Sequence, residues 1–382
     1  MSGTPRLNWS QLLMYLISWS LLTGCEHEAE RAPRNLPAGG LWISVVTPSE
    51  YAPDWPAVSG GARRYLETTP TVSGECVAAR ANETVTAFAQ RFLDRKPAAV
   101  VLLVPSREAA EPLARIVRAA LVPLVTVGEE LPDGVAAGHV AVFQGEAAET
   151  LAAALPSVVG TGLSYVLVRK GAPAEGTERV SDRFMSVARQ NPSPRLLAAD
   201  EGDGVNNVAA AVSRLLAQYP RTSLVVTLDP AVWLDPPLGW EAGLAQVSPS
   251  YRFATLSAAP RLWAALGTPQ RPGRAAALVG ALDGERGFAA AELAVRIALN
   301  PETPRRRIIP TELVTAATLA DFARRYSQAA GGLDVSSWLP RGVVATNGTG
   351  QTDEGLVADG QRRRPDAAPE KSFGPPAEAD GP

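Results

Sequence analysis

A chain of 382 residues that is 46% apolar can fill more than one core, which excludes disorder along its whole length. Its net charge of −3, with acids and bases interspersed, leaves no electrostatic footprint for nucleic acid or an anionic membrane surface. Two histidines, His27 and His139, and two cysteines, Cys25 and Cys76, form no CxxC or HExxH spacing, so neither a metal centre nor a disulfide framework is expected.

The N-terminal segment carries Arg6 in a short polar start and then an apolar run over 12–22, too short to span a bilayer; it reads as an export signal. It ends in Leu22-Thr23-Gly24-Cys25, which resembles the lipobox of bacterial lipoproteins, where the Cys sulfur is acylated. The alternative is a buried helix ending in an incidental Cys. The resemblance implies a signal peptide over 1–25 and a protein held on a membrane in the periplasm or at the cell surface, each acyl methylene contributing about 0.8 kcal/mol. Residues 26–40 are charged and contain Pro33, Pro37, Gly39 and Gly40, a composition suited to a tether. Residues 346–382 are dominated by Gly, Pro, Asp, Glu and Arg and are expected to be disordered.

Between these ends, short apolar runs alternate with stretches at helical spacing. Strands are expected at 41–46, 100–104, 124–127, 165–168 and 224–228, and helices near 57–66, 109–120, 147–155, 182–190 and 205–218. Continuous apolar strands separated by helices indicate an α/β, doubly wound architecture with parallel sheets covered on both faces. Ligands in such sheets bind outside the carboxyl ends of the strands, which points to the loops after Val46, Val104, Val127, Val168 and Leu228.

The first strand and its loop, residues 45–62, resemble the opening of the type I periplasmic sugar-binding proteins, the ribose- and galactose-binding group; Pro53, Trp55, Gly61 and Ala62 keep the spacing. Residues 98–106, 121–127, Pro220 with 224–229, Gly287 with the 289–298 helix, and Asn300-Pro301-Glu302 resemble later family segments in the same order, so the likeness runs over roughly residues 41–320. It implies two Rossmann-like lobes joined by a three-segment hinge. One would comprise 41–143 plus 281–305, and the other 144–280 plus 306–345, with a returning strand near Ile308 to Val314.

A sugar site needs an aromatic platform and charged or amide groups around it. By the resemblance, Trp55 stacks on the ring unless it packs under the first helix. Tyr51 substitutes for the family's first aromatic, and Asp54 stands in that aromatic's place unless it caps the helix starting near Pro56. Arg107 reaches a hydroxyl pair, or Ser106 caps the next helix and Arg107 is solvated. Glu129 follows the strand where the family carries an Asp-Arg pair, although the Arg is missing and a surface acid is the other reading. In the second lobe Arg179 and Asp229 fall near family binding positions, against a solvated helix start and a turn or cap respectively, while packing suits Trp233. Ser257 and Gly280 replace family polar contacts, and Asp283 either contributes or caps the following turn.

The resemblance implies a monomeric solute-binding lipoprotein with no cofactor that passes a small polar ligand, a sugar by analogy, to an ABC permease. A lipid-tethered sensor serving a membrane receptor is the alternative. No nucleophile elbow or phosphate loop is present, so an enzyme is not expected; a glycosidase pairing Asp54 with Asp229 is the residual possibility. A repressor would need an N-terminal helix-turn-helix, which is missing.

Overall fold

The structure, a computed structural model, describes residues 40–49, 52–160, 163–170, 180–191 and 193–344. The signal-like segment with Cys25, the tether to residue 39, Tyr51, Arg179 and the tail from 346 lie outside the described residues.

In chain order the first part runs β1 (Leu41–Thr47), α1 (Trp55–Thr68), β2 (Val72–Ala78), α2 (Val85–Leu93), β3 (Ala99–Val104), α3 (Arg107–Ala119), β4 (Leu124–Gly128) and β5 (Gly138–Val142). The second part runs α4 (Gln144–Val159), β6 (Ser164–Arg169), α5 (Val180–Ala188), β7 (Arg195–Glu201), α6 (Gly204–Gln218), β8 (Leu224–Thr227), α7 (Ala231–Leu234), α8 (Trp240–Val247) and β9 (Arg252–Thr255). It continues through α9 (Trp263–Leu266), the short pair β10 (Gly267–Thr268) and β11 (Arg271–Pro272), and β12 (Ala275–Gly280). The chain then enters α10 (Asp283–Leu299), β13 (Arg306–Ile309), β14 (Glu312–Val314) and α11 (Leu319–Ala329).

Among the described residues the longer strands form two six-stranded sheets, ordered β13-β5-β4-β3-β1-β2 and β14-β12-β9-β8-β6-β7. All pairings in them are parallel except β12 with β14. The strand period of two divides β3 cleanly. Val101 and Leu103 face a core shared with α1 and α10, while Val100, Leu102 and Val104 face Phe88 and Phe92 of α2 and Leu113 of α3. The second sheet is covered in the same way, with α4 and α5 over Tyr165 and Leu167 and with α6 and α11 over Val166 and Val168. This is the doubly wound α/β class.

One boundary differs from expectation. The single returning strand near Ile308 to Val314, with everything from 306 in the second lobe, is instead two strands in different sheets. Arg306–Ile309 is the outermost strand of the first sheet, and Glu312–Val314 runs antiparallel on the edge of the second. Pro310 lies between them; with no N–H and a fixed φ it ends one ladder, and the chain crosses there.

Candidate functional site

Strand order reverses between β1 and β3 in the first sheet and between β6 and β8 in the second, so the loops after those strands flank the switch-point crevices. Asp54 lies after β1, at the N-cap of α1 with Pro56 in the helix's first turn, yet its carboxylate makes no capping bond. Its Oδ2 instead accepts a hydrogen bond from Arg286 Nη1 at 3.4 Å. Arg286 sits in the first turn of α10, and the same Nη1 donates to Asp283 Oδ1 at 2.6 Å. Asp283 Oδ2 in turn accepts from the Tyr326 hydroxyl of α11 at 2.9 Å. Asp283 and Arg286 are only 8% and 9% exposed. Asp283 is thus the first residue of α10 with a buried, doubly bonded carboxylate, which corrects its reading as a simple turn cap.

Burial, with the charge of Asp54 behind it, pushes the Asp283 carboxyl up to about 6 against the pull of Arg286 and Tyr326. Burial opposes the charge on Arg286, but the carboxylates of Asp283 and Asp54 outweigh it and keep the guanidinium protonated above its ordinary pKa. Burial and the same two acids hold the Tyr326 phenol far above its usual range.

Glycine makes this reach possible. A Cβ on Gly287 would stand 1.9 Å from the Val58 carbonyl oxygen, and one on Gly61 would stand 1.8 Å from the Gly284 oxygen, so α1 and α10 touch backbone to backbone. At the carboxyl end of β4, Gly128 has a φ of +106°. A Cβ there would lie 2.5 Å from Val104 O and 3.6 Å from Arg286 Nη2, so the guanidinium lies along backbone that no side chain covers.

The remaining positions separate. Trp55 is half-buried and packs at the edge of the first sheet's core. Ser106 caps α3 by accepting from Ala109 N, and Glu129 Oε2 accepts from Arg107 N at 2.9 Å. The Arg107 and Glu129 side chains are about half exposed and 3.9 Å apart, so the structure joins these two residues to each other at the surface. Asp229 is buried; its Oδ2 accepts from Gly204 N at 2.8 Å and its Oδ1 from Ala231 N at 2.9 Å, the turn-and-cap role. A hydrogen bond to Asp229 holds the Asp203 carboxyl above its usual range. Trp233 lies stacked 4.0 Å from Phe253 and donates to Thr227 Oγ1. Ser257 Oγ accepts from Ala259 N, and a Cβ on Gly280 would meet Ala258 N at 2.6 Å, so the 257–259 loop occupies the space of any longer side chain at 280. Among the described residues no three His, Cys, Asp or Glu side chains gather to hold a metal.

No family model and no curated protein matches this sequence. Solved structures do. An arabinose-binding protein from Geobacillus stearothermophilus superimposes with a TM-score of 0.57 at 16% identity, covering 74% of this chain and 99% of its own. A periplasmic solute-binding protein of an ABC transporter from Actinobacillus succinogenes, with bound D-allose, gives 0.55 at 12% over 74% and 99%. This chain has the fold of the type I periplasmic binding proteins. A solute-binding protein from Agrobacterium vitis with bound allitol shares that fold at a TM-score of 0.52 and 18% identity over 76% and 100% of the two chains. So does a structure named for a LacI transcriptional regulator, from Bacteroides fragilis, at 0.51 and 13% over 74% and 99%. In doubly wound folds a ligand is sought outside the carboxyl ends of the strands, and Asp54 lies in the loop after one of them, β1.

Proposed function

We propose that the protein is an extracytoplasmic solute-binding lipoprotein, acylated at Cys25, that captures a sugar or polyol and presents it to an ABC-type importer. The observation that carries this reading is the fold, shared over nearly the full length of solute-binding proteins whose names include allitol and D-allose as bound ligands. Two lobes, one around each six-stranded sheet, would close on the ligand about the three crossings. Asp54 and Trp55 line the first lobe's side, Arg107 with Glu129 the rim, and Tyr51 and Arg179 complete the set, with Asp229 shaping the second lobe's loop rather than touching the ligand. No bond-making step is required. Asp229 spends both oxygens on backbone N–H groups, which argues against its pairing with Asp54 as a glycosidase.

The fold, shared also with a structure named for a LacI transcriptional regulator, admits one second reading, a lipid-tethered sensor that reports occupancy to a membrane receptor. Copurification with a permease or with a receptor separates the two.

The test of ligand capture is thermal unfolding of the mature chain against pentoses, hexoses, polyols, amino acids and nucleosides. Ligand at about 100 times its dissociation constant adds about 2.7 kcal/mol, a rise of a few degrees. A shift with one sugar or polyol is expected, and a flat response across the panel removes the reading.

A further inference from the structure

We propose that Arg286 and Asp54 together grip a vicinal diol of an uncharged sugar or polyol, with Asp283 and Tyr326 as the positioning residues that hold the guanidinium. This rests on the solute-binding reading and names the chemistry of its ligand. Arg286 is nine-tenths buried, and its Nη1 is taken by Asp283 and Asp54. Its Nε has no hydrogen-bond partner, and among the described residues Nη2, beside Gly128, has no acceptor either. An arginine so enclosed normally has its donors matched, since an unmet charged donor is expensive. Nη2 is the end that lies beside Gly128 at the carboxyl end of β4, and Asp54, with 36% of its side chain exposed, stands at the neighbouring Nη1 as the acceptor.

A diol matches this pair. One hydroxyl accepts from Nη2 while the neighbouring hydroxyl donates to an Asp54 oxygen, both charge-assisted bonds. A carboxylate or phosphate does not match. Two acids, Asp54 and Asp283, already face the one guanidinium, so a third negative charge at Nη2 meets a cluster that carries no surplus positive charge. The donor comes from α10, whose glycine contact with α1 brings it within reach of Asp54; the loop after β4 carries Glu129 and no arginine.

The experiment is calorimetric titration of the mature protein with allitol, D-allose, L-arabinose and myo-inositol, and with D-gluconate and L-arabinonate as acidic counterparts. The wild type should bind at least one neutral probe and reject both acids. Arg286→Lys keeps a charge for Asp283 but lacks the fork, and should weaken the neutral probe by about 10- to 100-fold. Asp54→Asn should weaken it too and raise acid binding relative to neutral. Tyr326→Phe should lower affinity without changing the acid-to-neutral ratio, as a positioning role requires. If Arg286→Lys does not fold, the paired variant Arg286→Met/Asp283→Asn removes both buried charges and must show the same loss. Neutral binding that survives these Arg286 variants, or a wild type that prefers the acids, overturns the diol grip and leaves solute capture standing. A wild type that binds no neutral probe overturns both.

Discussion

Asp229 meets two backbone donors from different elements, the first amide of α6 and that of α7. Asp229→Ala should therefore destabilise the protein by about 1–3 kcal/mol, read as a lower urea midpoint with unchanged slope. Asp283 gives a pH signature. Its folded pKa of about 6 lies above the usual 3.8, so the native state holds this proton more tightly than the unfolded chain does. That contribution to stability is full below about pH 4 and is lost as pH rises towards 6, at up to about 1.4 kcal/mol per pH unit. Urea melts of wild type and Asp283→Asn between pH 4 and 7 should diverge in that sense, with the asparagine variant free of the decline. Asp54 was legible because a strand, a Pro-marked helix start and an acid fall in one short stretch. Arg286 was not, because its partner lies 232 residues away and its own helix reads as an alanine-rich packing element. The available signal was an arginine set between Gly284 and Gly287, two glycines at i, i+3 spacing that let the helix approach its neighbours backbone to backbone.

Long runs of large apolar residues announced themselves, whereas edge strands and the short or alanine-rich interior strands β5, β9 and β12 did not. The central strands β1, β3, β4, β6 and β8 are continuous apolar runs and stand where the pattern put them. The edge strands β2 and β7 read VSGECVA and RLLAADE; half exposed and rich in polar residues, they carry too little of the pattern to be found. Cys76, on β2, is a half-buried residue whose thiol burial pushes up to about 11, so it should alkylate slowly with iodoacetamide at neutral pH. The α1–α10 contact is the element-scale feature on which the charged cluster depends. Gly287→Ala would drive a methyl into the Val58 carbonyl, and the helices would have to part. A loss of about 1–3 kcal/mol or more is expected in denaturant melts. Arg286 would be drawn away from Asp54 at the same time, so any ligand-induced thermal shift should shrink as well.

Among the described residues, three chain crossings join the two sheets, and the last falls at Pro310 rather than before Arg306. After it, α11 buries Leu319, Phe322 and Tyr326 in the second sheet's core. The end of α11 also lies on the first-sheet helices. A Cβ on Gly60 would stand 2.1 Å from Ala330 O, and Arg64 bonds both Gln328 O and Glu285. Small-angle scattering should show a more compact particle when ligand is bound, and this C-terminal contact is the fulcrum about which the change would occur. The general plan of alternating strands and helices was visible in the sequence because periodicity is local; where the third crossing falls depends on which sheet has a free edge, and no local pattern carries that. The hydrogen-bonded quartet constrains descent. Asp54, Asp283, Arg286 and Tyr326 come from three helices, and changing Asp283 or Arg286 alone leaves its buried partner uncompensated, at a cost of about 3–5 kcal/mol. Lineages should keep the four together or exchange them as a set, so in any alignment of relatives these columns should covary more strongly than their neighbours on the same helices.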